Sequence, residues 1–507
     1  MLQNVNYLHF GIEISLNISY YLFRLIFLGV VSLMFFPKSN FYGSNPVRII
    51  NLSIKNFKNV ANGQVNLGIG ENLLKNKPDI RGIYGQNGTG KTSIIKAIKL
   101  IKGLMIGESL PKDINEYVMR GEKQLEITVS FFIDSHYKDY LVDYSIVISK
   151  VSFDTDIEKG FFWGIKNESL TFRESGKKST KISRIKTLIE KSYNVKEISP
   201  KYRNDEVKKF FNNKFEYEYI QRANIEKRES FIFGNNLIDI ISKRSSVNSE
   251  LRLIPILRNF ALSNLHVLDS NSMALSSANI LLPLSFNIQK DHLNYHGVIP
   301  ISISKPEPIP SEILGIVDDV LSEMNKVLCE IIPGLRICIK KFPPALNEQG
   351  KEMIPIELLA CKGNFEIPIR YESDGIKKII SVLNLIVNMY NNSSMAILID
   401  ELDAGIFEYL LGEILLILEE SGKGQLIFTS HNLRPLEVLN RNSLIFTTTN
   451  PKNRYIKLKN IKPNNNMRDV YYRDIVLNGQ DEIIYEKTDS AMIKRALRKS
   501  GGTAYEK

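Results

Sequence analysis

The chain has 507 residues, of which 43% are hydrophobic and 24% charged, with a net charge of +11. That length holds roughly two to four domains and a large core, which excludes a small scaffold stapled by disulfides. Cys329, Cys338 and Cys361 lack C-x-x-C spacing and the six histidines form no H-E-x-x-H, arguing against a disulfide framework, a zinc site or a metalloprotease and suiting a reducing cytosol.

Residues 1–46 differ from the rest. Ile14 to Phe36 is apolar but broken by Arg24, and the uncharged part from Leu25 is too short for a bilayer span, which takes ~20 residues. The segment has neither the basic start nor the small-x-small cleavage site of a signal peptide. Ile80–Tyr84 then reads as the end of a strand. Gly85-Gln86-Asn87-Gly88-Thr89-Gly90-Lys91-Thr92 fits G-x-x-x-x-G-K-[ST], and Ser93 opens a run of apolar residues at helical spacing up to Ile101. Glycines let such a loop curl its N–H groups around a polyphosphate at a helix N-terminus. Lys91 reaches the β- and γ-phosphates and the Thr92 hydroxyl ligates Mg²⁺. The pattern predicts a nucleoside triphosphate site.

Gln124–Ile133 and Tyr140–Ile148 alternate with period two and turn at Asp134-Ser135-His136, predicting an antiparallel hairpin. Phe161–Phe172 adds a strand. From Lys177 to about Ser276 the chain reads as mainly helical and polar, a lid or arm without sustained heptads. Its densest basic patch, Arg173–Lys209 with Tyr202 and Phe210 close by, offers either a contact to a nucleic-acid backbone or a solvated face. Ile301–Pro310, rich in Pro and Ser, reads as a linker. Helical periodicity returns over Ser311–Glu330, and Ile337–Lys340 and Ile356–Leu359 read as strands.

Tyr371-Glu372-Ser373-Asp374-Gly375-Ile376-Lys377-Lys378 precedes an apolar helix over Ile379–Val387. Ser373 and Gly375 offer a hydroxyl and backbone N–H groups to a phosphate there, though a plain helix cap uses the same residues. Met395–Ile399 is an apolar run suited to a strand buried on both faces, and it ends in Asp400-Glu401. Asp400 fits a Mg²⁺ shell and Glu401 a general base. Leu402-Asp403-Ala404-Gly405 follows, and Gln425–Asn432 reads as another strand ending at His431.

GQNGTGKTS, ILIDELDAG and IFTSHN occur in that order. On them the chain resembles the ABC-type ATPases of the RecF/SMC/OLD-like branch, often labelled AAA-family ATPases. The resemblance implies an α/β P-loop fold of ABC-ATPase type, with an antiparallel β-subdomain and a large, mainly helical insertion. It implies ATP and Mg²⁺ as ligands, bound by Gly85 to Ser93 with Thr92 and Asp400 on the metal. It makes Glu401, His431 and Lys91 the catalytic set and puts Asp403 in the D-loop. Ser373 and Gly375 correspond to the signature motif, which closes over a partner's ATP, so a homodimer or higher oligomer around an ATP sandwich is implied. Asp374 departs from the common L-S-G-G-Q form, and either Gln124 or Gln221 would be the Mg²⁺-sensing glutamine. Val47–Val60 looks like the opening strand of these ATPases, so translation is expected to begin at Met34 or Val47, with membrane association as the alternative reading of residues 1–46.

The expected organisation is an apolar extension (1–46), the first ATPase half (47–105), a β-subdomain (106–175), a helical insertion (176–310), the second half (311–460) and a tail (461–507). The 76 residues after His431 (507 − 431) are too few for the Toprim domain that OLD nucleases append. The resemblance therefore suggests a cytoplasmic ATP hydrolase acting as sensor or regulator for a separately encoded effector, in the manner of bacterial anti-phage systems. A RecF-like DNA-repair ATPase that binds nucleic acid directly is the alternative, and a nucleotide-binding subunit of a transporter fits least.

Overall fold

In the computed structural model the described residues are 45–70, 75–135, 138–154, 159–175, 186–192, 224, 226–243, 250–270, 281–290, 293–347, 350–459, 461–462 and 465–502. Two sheets frame the site. β1 (Val47–Phe57) and β2 (Val60–Asn66) form a hairpin, and β3 (Asp79–Tyr84) runs into the glycine-rich loop that α1 (Lys91–Ile106) follows. β4 (Gln124–Ile133), β5 (Asp139–Asp154), β6 (Lys159–Ser175) and β7 (Lys186–Ser192) extend the hairpin into one antiparallel sheet of order β2-β1-β4-β5-β6-β7. The predicted hairpin is present, with Ile127 opposite Ile146 and Val129 opposite Tyr144.

α2 (Asn235–Lys243) and α3 (Leu253–Ser263) precede the short β8 (Leu265–Leu268). β9 (Leu281–Lys290) and β10 (Leu293–Ser302) pair as a ribbon. A smaller antiparallel sheet gathers β11 (Glu307–Pro310), β12 (Leu335–Lys341), β13 (Ala345–Leu346), β14 (Glu352–Lys362) and β15 (Phe365–Pro368) beside α4 (Ser311–Ile331). The chain returns through α5 (Asp374–Asn391), β16 (Ala396–Ile399), α6 (Glu408–Ser421), β17 (Gln425–Thr429), α7 (Arg434–Val438), β18 (Leu444–Thr447) and β19 (Tyr455–Ile456) to α8 (Met467–Leu477) and α9 (Ser490–Gly502).

The central sheet has the order β19-β18-β3-β17-β16-β8, parallel throughout except for β19. Its strands are apolar because both faces are covered. Along β16, Ala396 and Leu398 face the core containing α1, α3 and the antiparallel sheet. Ile397 and Ile399 face the core containing α4, α5 and α6. Period-two alternation thus feeds two cores from one strand.

Three segments differ from the sequence reading. Residues 186–192 and 265–268, expected within a helical insertion, are strands, and β8 pairs in parallel with β16 in the central sheet. Four residues are too few to show a period, which is why β8 left no clear signal. The expected linker 301–310 contains the end of β10 and all of β11, whose prolines sit where an edge strand tolerates them. Cys338 on β12 and Cys361 on β14 are joined as a disulfide with Cα atoms 6.3 Å apart. Strand register brings them together, so their scatter in sequence says nothing about compartment. Residues 1–44, Gln221, and residues 176–185 and 193–209 of the basic patch lie outside the described residues. Among the described residues, no helix is long and apolar enough to cross a membrane.

The two large sheets are joined at the amino ends of the core strands. Arg48 of β1 donates to Asp79 at 2.7 Å and to the carbonyls of Ser393 and Lys423. Gln425 donates to the carbonyls of Ile49 and Leu67 and accepts from the Ile49 N–H. Arg48 and Asp79 are essentially inaccessible to solvent. Arg48→Met strands the buried carboxylate and should cost ~3–5 kcal/mol. A urea midpoint equal to that of the parent chain would show that the pair does not hold the sheets together.

Candidate functional site

Gly85, Gly88 and Gly90 have φ of 153°, 79° and 93°, the last two in the left-handed region that glycine enters without strain. A Cβ on Gly85 would also lie 1.8 Å from Thr447 Oγ1. Side chains from outside the motif brace the loop. Thr447 and Thr89 share a hydroxyl–hydroxyl hydrogen bond, Tyr455 Oη donates to the Gly90 carbonyl at 2.9 Å, and Asn59 bridges the Gly88 carbonyl and Ser93 Oγ. Gln86 donates to the Glu486 carbonyl at 3.2 Å and accepts from the Glu486 N–H at 2.9 Å, so a segment after α8 lies against the loop.

Lys91 is 7% exposed, and its ammonium donates to the carbonyls of Gly85 at 2.7 Å and Gln86 at 3.1 Å. Burial pushes its pKa down, against the pull of Asp400 and Glu401. This cation is held across the loop interior, where a polyphosphate would exchange carbonyl oxygens for stronger anionic acceptors.

β16 and β17 deliver the acidic side of the site. Asp400 Oδ1 accepts from Thr429 Oγ1 at 2.6 Å and Thr92 Oγ1 at 3.3 Å, while Oδ2 accepts from Ser270 at 2.9 Å. Thr92 and Asp400 therefore meet as a hydroxyl–carboxylate pair of hard oxygen donors, a set that suits Mg²⁺. Glu401 has a left-handed backbone, φ 51°, held from both sides. Its N–H donates to Thr429 Oγ1 at 2.8 Å and its carbonyl accepts from Lys378. The Glu401 side chain is exposed beside this fixed backbone. Burial pushes the Lys378 ammonium down to about 8.

Asp403 does not point its bonded oxygen at the loop. Its Oδ2 accepts from the N–H groups of His431 at 3.1 Å and Asn432 at 2.9 Å, which fixes the end of β17. His431 is exposed there. Ser373 caps α5 by accepting from the Ile376 N–H at 3.3 Å. Gly375 packs against Gly405, and a Cβ on it would sit 2.1 Å from the Gly405 carbonyl oxygen. The charge of Asp374 is met by Lys377 at 2.8 Å. The structure thus gathers Lys91, Thr92, Asp400 and Glu401 at one mouth and joins Gly375 to the turn after Asp403. No hydrogen bond links Ser373 or Gly375 to residues 85–93 among the described residues. Gln124 accepts from Lys166 on the β-subdomain.

Sequence reasoning missed Thr429, Lys378, Thr447, Tyr455 and Asn59. Thr429 had a signal, a hydroxyl at the tip of a buried strand within IFTSHN, whereas the others are brought in by tertiary packing alone. Thr429→Val removes the link between Asp400 and the Glu401 backbone. It should lower stability by about 1–3 kcal/mol, with Thr429→Ser recovering most of the loss. Equal denaturation midpoints for Val and the parent would discount the link.

No curated protein is significantly similar in sequence. Among solved structures, the SMC head bound to the C-winged helix domain of ScpA is 13% identical, covering 81% of this chain and 98% of that one, with a TM-score of 0.36. The SMC head domain from Thermotoga maritima is 12% identical, covering 81% and 99%, with a TM-score of 0.32. RecF with ATP is 12% identical, covering 78% and 94%, with a TM-score of 0.32. At these TM-scores the likenesses carry no argument. The family match does: residues 48–434, well over half of the chain and spanning every site element from β1 to His431, fit the AAA ATPase domain. The chain belongs to the AAA ATPase domain family.

Proposed function

We propose that this ATPase-family chain hydrolyses ATP with Mg²⁺, closes head-to-tail with a second copy around the nucleotide, and acts as an ATP-driven sensor or regulator for a separate effector, as in anti-phage defence. The observation that carries the catalytic part is Thr429, which ties Asp400 and the Glu401 backbone together beside Thr92. Thr92 and Asp400 would hold Mg²⁺. When bound, the ion neutralises charge on the β- and γ-phosphates. Lys91 leaves the loop carbonyls for phosphate oxygens, and the N–H groups of the glycine-rich loop hold the chain of phosphates. Glu401 accepts a proton from water as the water oxygen bonds to the γ-phosphorus and the bond to ADP breaks. His431, held through its backbone by Asp403, completes the γ-phosphate side.

Closure by a second copy is supported by the arrangement of Ser373. It is exposed at the start of α5, two residues before the Gly375 that packs against Gly405, and makes no hydrogen bond to residues 85–93 among the described residues. A hydroxyl and helix N-terminus presented outward suit a phosphate held by another chain. The second reading, direct binding of nucleic acid, is favoured by α9. There Lys494, Arg495, Arg498 and Lys499 stand exposed on a helix with no buried residue among 490–500.

Glu401→Gln should keep ATP while turnover falls roughly 10²–10⁴-fold; undiminished phosphate release would remove Glu401 from the base role. Lys91→Ala should lose ATP retention in the same assay. Capture of ATP-loaded Glu401→Gln protein from its native cells separates the readings. A stoichiometric protein partner supports the effector reading, and nucleic acid alone supports the repair reading. Ser373→Arg should leave ATP binding to the single chain intact and abolish ATP-dependent dimers in light scattering; a normal dimer would sever Ser373 from closure.

A further inference from the structure

We propose that the groove of about 520 Å³ between the start of β3, the α7–β18 turn and the segment after β19 binds a small organic anion bearing a phosphate or carboxylate. It is a site distinct from the glycine-rich loop. Its size lies within the range of small-molecule sites, roughly 300–1,000 Å³.

Arg81 is the central group. It lines the groove, is 5% exposed, and among the described residues makes one hydrogen bond from its guanidinium, to the carbonyl of its neighbour Ile80. Its Nε has no acceptor among the described residues. A buried guanidinium without a carboxylate is costly unless something else supplies the negative charge. The two acids whose charges act on it, Asp79 and Glu419, direct their hydrogen-bonding oxygens elsewhere. Asp79 pairs with Arg48 at 2.7 Å and accepts from the Ile69 N–H. Glu419 spends both oxygens on the Asn440 N–H and accepts from Ser443 Oγ at 2.6 Å.

A second cation faces the same space. Lys457, although exposed, lines the groove, and partial desolvation followed by the repulsion of Arg81 pushes its pKa down. Two mutually repelling cations beside Asn66 and Asn442 form a donor-rich recess, with amides able to orient a planar or tetrahedral anion. Inorganic phosphate alone would leave most of the groove unfilled, so the anionic group belongs to a larger molecule. Glu419 limits the charge that the recess can take, favouring one phosphate or carboxylate over a polyphosphate.

The position gives such a ligand a route to the nucleotide site. Arg81 lies four residues before Gly85 on β3, roughly 13 Å along a strand. Ser443 immediately precedes β18, whose Thr447 braces the loop through Thr89 and the Tyr84 carbonyl. β3 and β18 are paired neighbours, so one pair of strands joins the recess to the loop.

The test uses the full chain carrying Lys91→Ala, which weakens phosphate binding at the loop, with and without Arg81→Met. Phosphoenolpyruvate and AMP are titrated by calorimetry and thermal melting at matched ionic strength, separating a non-nucleotide from a nucleotide source. Saturable binding of one molecule per chain, weakened roughly tenfold or more by Arg81→Met, is expected. Without a probe, Arg81→Met should melt at or above its parent, because a buried guanidinium with a single hydrogen bond among the described residues has gone. Equal affinity in both chains, no saturable binding of either probe, or a lower melting temperature for soluble Arg81→Met would overturn the proposal. Lys457→Gln, which alters an exposed group lining the same groove, should also weaken binding while leaving the melting temperature unchanged; undiminished affinity would overturn the proposal as well.

Discussion

The candidate site depends on where β3, β16 and β17 begin, and that is tied to a buried polar knot at the opposite end of the sheet. Arg48 reaches from β1 to Asp79 and to two carbonyls at the starts of neighbouring core segments, while Gln425 returns three hydrogen bonds to β1 and the residues after β2. Each group is satisfied, which is what makes burying a guanidinium and a carboxylate tolerable. An apolar contact would hold the sheets together as well, but without directionality it would not fix the stagger of β1 against β3 and β17. The glycine-rich loop and Asp400 lie at the far ends of those strands, so that stagger carries through to the site.

At the far end the division of labour is between parts that are fixed and parts that are left accessible. Asp400 is locked by hydroxyls from three segments, and the Glu401 backbone is pinned through both its N–H and its carbonyl. The Glu401 and His431 side chains are exposed beside those anchors. Holding the main chain in a left-handed conformation costs of order 1–3 kcal/mol, which the flanking hydrogen bonds offset. A fixed main chain with accessible side chains suits the water-activating role proposed above for Glu401.

Legibility in the sequence followed the range of the interaction. The glycine-rich loop, the apolar run before Asp400 and the hairpin at Asp134-Ser135 are local patterns, and each lies in the element that its period or turn residues predict. β8 was not legible because LHVL is too short to show alternation and gains its strand character from pairing with β16. Ile301–Pro310 misled because Pro and Ser suit an edge strand as well as a linker. Of the site, Lys91, Thr92, Asp400 and Glu401 could be read from motifs. Thr447, Tyr455 and Glu486 could not, since their contacts to the loop span more than 350 residues of chain and no local pattern encodes them.

The contact between Gln86 and Glu486 has a practical side. Ile484 is buried and Ile483 accepts two hydrogen bonds from Thr449, so the stretch leading to α9 is seated firmly and Glu486 meets the loop as part of a fixed path. An affinity handle or fluorescent fusion placed shortly after Glu486 would pull on the same backbone that touches the glycine-rich loop. Reporters built that way would record the handle as well as the nucleotide.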